Sequence, residues 1–146
     1  MEIKMHTIHE KVTLYSIALV LLIGLTACGS NATPSEAVQL TDKQVRRIVN
    51  DMLDGYNEVD YGAFSKDLTP TMKLEMDEKL FKDFYDKSVD TLGWFQSVTS
   101  AKQVNSDNSS TTWLITAKFQ HSTEFFHVIF DNASGQIEDM DFGPGN

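Results

Sequence analysis

Residues 111–120, "TTWLITAKFQ", alternate between apolar and polar side chains. The apolar members are Trp113, Ile115, Ala117 and Phe119, and the polar members between and beside them include Thr112, Thr116, Lys118 and Gln120. A period of two residues is typical of a β-strand, because successive side chains of a strand point to opposite faces. The stretch therefore predicts a strand with one face buried and the other in water.

Three other segments of this half of the chain also have strand character. They are residues 94–104, 124–131 and 137–142, of which 124–131 is rich in Phe, Val and Ile. The stretch "NSDNSS" (105–110) forms a predicted loop, and "DNASG" (131–135) has the composition of a hairpin turn. Because short connections join antiparallel neighbours, the sequence predicts a four-stranded antiparallel meander.

The segment upstream of the strands has helical periodicity instead. In "LTDKQV" (40–45), Thr41 and Gln44 take the N-cap and N3 positions of a capping box, and Leu40 and Val45 take the positions of a hydrophobic staple. The apolar residues that follow recur at intervals of three and four: Val45, Ile48, Val49, Met52, Leu53 and Tyr56. This pattern predicts an amphipathic helix with one buried stripe.

Two further helical segments lie between this helix and the strands. The first, within residues 59–68, has Asp60 as its cap, with Phe64 and Leu68 facing inward. The second begins with Thr69 as N-cap and Pro70 at its first position, has a possible break near Asp77, and ends before Gly93. Its apolar stripe comprises Met72, Met76, Leu80, Phe81, Phe84, Tyr85, Val89 and Leu92. Helices followed by strands predict an α+β domain over residues 41–146.

The composition excludes one class of function. The chain of 146 residues carries a formal charge of −9 and only two arginines, Arg46 and Arg47. A nucleic-acid-binding surface needs a basic stripe to neutralise phosphates, so we expect no nucleic-acid partner. The single cysteine excludes an intramolecular disulfide and a cysteine-based zinc cluster.

That cysteine, Cys28, follows an apolar run close to the N-terminus. Residues 12–25 are nearly all apolar, and a helix of that length spans only about 21 Å, which is short for a bilayer but typical of a signal-peptide core. The order Leu25-Thr26-Ala27-Cys28 resembles the lipobox of bacterial lipoproteins. The resemblance implies cleavage after residue 27, with Leu25, Thr26 and Ala27 recognised by the peptidase.

It further implies a diacylglyceryl thioether on Cys28, whose thiolate is a good nucleophile. Acyl chains on that residue would anchor the chain in a membrane, which predicts a lipid-anchored protein on the extracytoplasmic face. Residues 28–40, "CGSNATPSEAVQL", are mostly small and polar and are predicted to form the lipidated cysteine and a flexible tether.

The order of helices and strands resembles a second family pattern. The stretches "LTPTMK" (68–73), "TLGWFQSV" (91–98) and "FFHVIFDNASGQIEDMDF" (125–142) are similar to those of a family of small extracytoplasmic bacterial domains of unknown function. That family has the nuclear-transport-factor-2-like cone, in which helices close the concave face of a curved sheet. The resemblance implies a pocket at the wide end of the cone, where ligands bind by default.

Aromatic residues and one histidine are the candidates for lining such a pocket. They are Tyr56, Tyr61, Phe64, Trp94, Trp113, Phe119 and His127. Each also has a plainer interpretation, because aromatic side chains on buried faces usually belong to the core.

No motif in the chain indicates a catalyst, a metal or a cofactor. Isomerases of this fold use a carboxylate base with a tyrosine, and Asp60 next to Tyr61 does not match their pattern well enough to carry a role across. His121 and His127 are about 20 Å apart on a continuous strand, and Glu138, Asp139 and Asp141 lack the spacing of a calcium loop.

The sequence therefore predicts a non-catalytic binding or interaction module of the bacterial cell envelope. Its partner would be an envelope protein or a small apolar ligand. The alternative is a small pocket enzyme, an isomerase or hydrolase, that uses a pocket carboxylate with Tyr61 or His127. A buried carboxylate near either residue would favour the enzyme, and an aromatic interior would favour the binding module.

Overall fold

The computed structural model describes residues 37–141, and Cys28, the predicted signal peptide and most of the tether lie outside that range. Its helices are α1 (Asp42–Glu58), α2 (Tyr61–Ser65), α3 (Pro70–Glu75) and α4 (Glu78–Leu92). Its strands are β1 (Phe95–Ser106), β2 (Ser110–Phe119), β3 (Thr123–Asp131) and β4 (Ile137–Asp141). Within residues 37–141, no helix has the length and apolar character needed to cross a bilayer.

Helix α1 begins at the predicted capping box. The Thr41 side chain accepts from the Gln44 backbone N–H, and the Gln44 side chain accepts from the Thr41 backbone N–H at 3.0 Å. The predicted apolar stripe is buried, from Val45 to Tyr56, with Ile48 partly buried beside it. The helix ends at Val59, whose backbone is left-handed (φ 52°, ψ 35°).

The helical segment predicted after Thr69 breaks at the predicted place, near Asp77, and forms two helices. Helix α3 ends at Met76, and Asp77 caps the start of α4 by accepting from the Leu80 backbone N–H at 2.8 Å. An aspartate offers a new N-cap, so the chain restarts its helix there. The prediction that Leu80 belongs to the buried stripe is wrong, because it lies near the start of α4 and is 46% exposed.

The four strands form one antiparallel sheet in the order β1-β2-β3-β4, which is the predicted meander. In the central pair, Leu114 lies opposite His127 and Thr112 lies opposite Ile129. Strand β1 has register shifts after Phe95, Val98 and Gln103, and bulges of this kind bend a strand and increase its twist. The predicted end of β4 at Phe142 lies outside the described residues.

The helices pack against one face of this sheet. The inward side chains of β2 and β3 are buried, among them Ile115, Phe126 and Val128, each with no exposed surface. These side chains form one core with the apolar stripes of the helices. The predicted fold class is confirmed as α+β: N-terminal helices pack on a four-stranded antiparallel sheet.

Residues 37–40, predicted as the end of a flexible tether, lie against this domain. The Val38 backbone N–H donates to the Asn132 carbonyl at 2.7 Å. Leu40 is partly buried against the core, as expected for one half of a hydrophobic staple. The chain is thus attached to the domain at Val38, three residues before the predicted boundary at residue 41.

Candidate functional site

Aromatic rings fill the space between the helices and the sheet. The Tyr56 ring centroid lies 5.0 Å from that of Tyr85, 5.9 Å from Phe84 and 6.1 Å from Phe119. Centroid spacings of 4.5–7 Å are those of rings in contact. The same packing joins Phe119 to Phe95 at 5.6 Å. A second group around Phe81 extends this aromatic interior.

The second group lies under helices α2 and α4. The Phe81 ring lies 4.6 Å from Phe64 and 5.9 Å from Tyr61. Phe64 and Phe81 are at most 1% exposed. We therefore describe the aromatic interior, which comprises Tyr56, Tyr61, Phe64, Phe81, Phe84, Tyr85, Phe95 and Phe119, as a packed core.

The predicted pocket residues divide between this interior and the surface. Tyr56, Phe64, Trp113 and Phe119 are buried members of the core, and Tyr61 packs against it. Trp94 and His127 do not join them. Trp94 is 56% exposed at the start of β1, and His127 is half-buried on the face of the sheet that points away from the helices. A ligand-binding role for these seven side chains stays a prediction.

The groups considered as catalysts have structural partners. Asp60 caps α2 by accepting from the Ala63 backbone N–H at 3.1 Å, and the Tyr61 hydroxyl donates to the Lys73 carbonyl at 3.2 Å. Burial raises the pKa of Tyr56, against the opposing effect of its hydrogen bond with Ser88. Among residues 37–141 the only buried polar residues are Ser65 and Asn132. The buried carboxylate that would favour an enzyme is not among them.

One surface groove lies where residues 37–40 meet the β1–β2 hairpin. It encloses about 380 Å³. Neutral amide and hydroxyl side chains line most of it: Gln39, Gln103, Ser106, Asn108, Thr111 and Asn132. Buried Asn132 fixes its geometry, because it accepts from the Thr111 hydroxyl at 2.7 Å and donates to the Asp107 carbonyl at 2.9 Å. We call this concavity the hairpin groove.

Asp107, at the tip of the same hairpin, is held by a local turn. Its carboxylate accepts from the Ser110 backbone N–H at 2.8 Å and from the Ser109 backbone N–H at 2.7 Å. These bonds, Ser110 first, lower the pKa of Asp107, because they stabilise its charged form. This carboxylate stabilises the loop.

A second concavity lies beside strand β4 and is acidic. It encloses about 480 Å³ and is lined by Thr69, Thr71, Glu75, Ile129, Asp131, Glu138 and Asp139. Burial raises the pKa of Glu138, and the carboxylates of Asp131, Asp107 and Asp139 raise it further. We call this concavity the acidic groove. Among the described residues no group of three acidic, histidine or cysteine side chains is arranged to hold a metal ion.

The outward face of the sheet carries several apolar side chains. Phe125 on β3 is 51% exposed, and Leu114 and Ile129 are half-buried on the same face. Their alternation with the buried residues of β2 and β3 is the signal that places them there. Sequence reasoning identified the alternation but assigned no role to this outer sheet face.

The sequence analysis predicted neither the hairpin groove nor the acidic groove as a site. Each combines residues that are distant in sequence, such as Thr69 with Asp139, or Val38 with Asn132. For the acidic groove, Glu138 and Asp139 are a local signal, but the sequence analysis considered them only as calcium ligands and rejected that role on their spacing. The lipidation site at Cys28 and its recognition residues lie outside the described residues and stay a prediction.

Comparison with known proteins gives little to add. No family model and no curated protein matches the chain. Among solved structures, the chain is similar to the crystal structure of "AclR a putative hydroxylase from Streptomyces galilaeus", with a TM-score of 0.35 and 11% sequence identity. That match covers 71% of this chain and 83% of the other. A likeness of this size carries no argument about function.

Proposed function

We propose that this protein is a lipid-anchored, extracytoplasmic module of the bacterial cell envelope that binds a partner protein through its surface. The observation that favours a surface role is the packed aromatic interior, in which Tyr56 contacts three other rings. A small apolar ligand would need that volume. Surface grooves and the outer sheet face remain available to a macromolecule.

The proposed location comes from the sequence Leu25-Thr26-Ala27-Cys28 after its apolar run. Burial of acyl chains contributes about 0.8 kcal/mol per CH₂, and two chains suffice for stable anchoring. The protein would then act close to the outer surface of a membrane.

The Val38 backbone N–H is bonded to the Asn132 carbonyl, so the chain between a lipid on Cys28 and the described domain would be short. The nine Cα–Cα steps from Cys28 to Ala37 span at most about 30 Å. Because the domain is acidic, an anionic leaflet would repel it within a Debye length of about 8 Å.

The enzyme alternative is not proposed. Asp60 and Tyr61 have structural partners, and His127 lies on the face of the sheet away from the helices. No observation on the described residues favours a reaction over binding.

The experiment that tests the anchor replaces Cys28 with serine. Cells grown with labelled palmitate should label the wild-type protein and retain it in the membrane pellet, whereas Cys28→Ser should lose the label. The matched control is Ser30→Ala, two residues later, which should keep both label and location. Label on the Cys28→Ser protein would overturn the proposal.

A further inference from the structure

The hairpin groove has the size of a small-molecule site and a polar lining. It encloses about 380 Å³ between residues 37–40 and the β1–β2 hairpin, at the low end of the roughly 300–1,000 Å³ of ligand pockets. Sites for apolar ligands are lined mostly by hydrophobic and aromatic side chains. No aromatic side chain of the described residues lines this groove. Its size and lining therefore suit one or two rings of a hydrophilic molecule.

The walls of the groove are held in place by Asn132, which is only 8% exposed. Its side chain accepts from the Thr111 hydroxyl at 2.7 Å and donates to the Asp107 carbonyl at 2.9 Å. Its backbone N–H donates to the Ser109 carbonyl at 2.8 Å, and its carbonyl accepts from the Val38 N–H at 2.7 Å. Because these walls are already ordered, binding in the groove immobilises few further groups of the protein.

Three amide side chains of the groove are available to a ligand. They belong to Gln39, Gln103 and Asn108, and none of them is hydrogen-bonded to a group within residues 37–141. Each amide offers two N–H donors and one carbonyl acceptor. A ligand whose own groups both donate and accept would pair with them best.

The charge of the groove favours an uncharged ligand. No lysine or arginine of the described residues lines it, so an anion would meet Asp107 with no cation to pair with. The formal charge of −9 on the chain acts against an anion as well. A cation would find only a carboxylate that already accepts from the backbone N–H groups of Ser109 and Ser110.

We propose that the hairpin groove binds an uncharged N-acetylated sugar of one or two rings. Sugar hydroxyls both donate and accept, as the side-chain amides and hydroxyls of the groove do. The acetamido group adds one N–H donor, one carbonyl acceptor and a methyl group. Val38, which is 39% exposed, and partly buried Leu40 supply the apolar surface that this methyl group needs.

A peptide also carries amides, but it fits the groove less well. Extended peptides usually pair their backbone with the backbone of a strand edge. The groups without partners in the hairpin groove are side-chain amides instead. The inference goes beyond the proposed function, because it needs neither a lipid on Cys28 nor a protein partner. Either one can therefore fail while the other holds.

The test is a titration of the isotopically labelled full chain in a mild detergent, followed by proton–nitrogen correlation NMR. The side-chain amides of asparagine and glutamine give their own signals in such spectra, so the proposed contacts are observed directly. The probe is N,N′-diacetylchitobiose at up to roughly 10 mM, which detects dissociation constants near 1 mM. Its matched control is cellobiose, which has the same two linked rings with hydroxyls in place of the acetamido groups.

We expect N,N′-diacetylchitobiose to shift the side-chain signals of Gln39, Gln103 and Asn108, and cellobiose to bind at least about fivefold more weakly. Gln103→Ala and Asn108→Ala should each weaken binding of N,N′-diacetylchitobiose by at least about fivefold, since each removes a donor and an acceptor. Both side chains are exposed and have no partner to lose within the described domain, so the variants should fold.

The matched control variant is Asn105→Ala, which removes an exposed amide from the same strand. The register shift in β1 places Gln103 opposite Trp113 and Asn105 opposite Thr112. Because Trp113 and Thr112 are consecutive in β2, Gln103 and Asn105 lie on opposite faces of the sheet. Asn105 does not line the groove, so Asn105→Ala should bind the probe like wild type.

An absence of shifts with N,N′-diacetylchitobiose over this range would overturn the inference. So would equal binding of cellobiose, shifts confined to other parts of the domain, or undiminished binding by both Gln103→Ala and Asn108→Ala. Triglycine blocked at both ends is the neutral peptide probe. If it shifts the same signals at equal or lower concentration, the groove is a peptide site and the assignment to a sugar is wrong.

Discussion

Val59 is the one residue other than glycine with a positive φ among residues 37–141. It ends helix α1 with φ 52°, and the Asp60 backbone N–H donates to the Gly55 carbonyl at 2.9 Å, as in a Schellman motif. Glycine normally occupies this position, because a β-branched side chain is strained there. The Val59 side chain is 42% exposed and so contributes little burial.

We therefore expect Val59→Gly to raise the free energy of unfolding by about 1 kcal/mol, measured by urea denaturation. The matched control is Val104→Gly, an exposed valine on β1 without positive φ, which should destabilise the protein because glycine weakens a strand. Equal effects of the two substitutions would show that the left-handed backbone of Val59 does not lower the free energy of unfolding.

The contributions of Glu138 and Asp107 to the stability of the protein should change with pH in opposite directions. The raised pKa of Glu138 means that its charged form is less favourable in the folded protein, so this residue reduces stability at pH 7. That penalty disappears as the pH falls below the ordinary glutamate pKa. Glu138→Gln should therefore stabilise the protein at pH 7, and the gain should vanish near pH 4.

The lowered pKa of Asp107 has the opposite sign. Its contribution is present above the ordinary aspartate pKa and is lost as the pH falls through the lower, folded value. Asp107→Asn should therefore destabilise the protein at pH 7 and make its stability less sensitive to acid. Urea denaturation at several pH values measures both variants, and two effects of the same sign at pH 7 would contradict this assignment.

At the scale of elements, helix α1 is attached to strand β1 by two asparagines seven residues apart. Asn57 donates to the Phe95 carbonyl at 2.9 Å and accepts from the Phe95 N–H at 2.8 Å. Asn50 makes one bond to the strand, from the Val98 N–H. Seven residues are about two helical turns, so both amides lie on one side of α1.

Removing Asn57 should be more costly than removing Asn50. Asn57→Ala leaves two partly buried backbone groups without partners and should lower the free energy of unfolding by about 2–3 kcal/mol, against about 1–2 kcal/mol for Asn50→Ala. Hydrogen exchange at the Phe95 amide should accelerate only in the first variant. Unchanged exchange there would mean that the α1–β1 attachment lies elsewhere.

The elements themselves could be predicted because their signals are local. The capping box at Thr41, the caps at Asp60 and Thr69, and the alternation in β2 depend on residues a few positions apart, and the structure confirms each. The attachment by Asn57 was not predicted. Its only signal was a pair of asparagines at the border of an apolar stripe, and such a pair does not indicate which strand the two side chains contact.

At the scale of the whole molecule, the candidate pocket could not be predicted in the same way. Periodicity indicates which side chains face inward, and Tyr56, Phe64 and Phe119 do face inward. Whether the enclosed space stays open depends on the volumes of side chains from several elements. Phe81 and Phe84 on α4 supply rings to the space that a pocket between the helices and the sheet would need.

A packed interior makes a prediction about small apolar molecules. Benzene binds empty apolar cavities large enough to hold it and stabilises the proteins that contain them. We expect saturating benzene to leave the unfolding temperature of the wild-type protein unchanged. Phe81→Ala should open a cavity beside Phe64, lower the free energy of unfolding by about 3–5 kcal/mol and gain a positive shift with benzene.

Phe125→Ala removes the same ring from the outer sheet face, where no cavity can form, and should show no shift with benzene. If Phe81→Ala does not fold, Phe81→Leu leaves a smaller space and should lose less stability. A positive benzene shift in the wild-type protein would mean that the interior already holds an open apolar cavity. Surface binding would then lose its main support, because the same cavity could take a small apolar ligand.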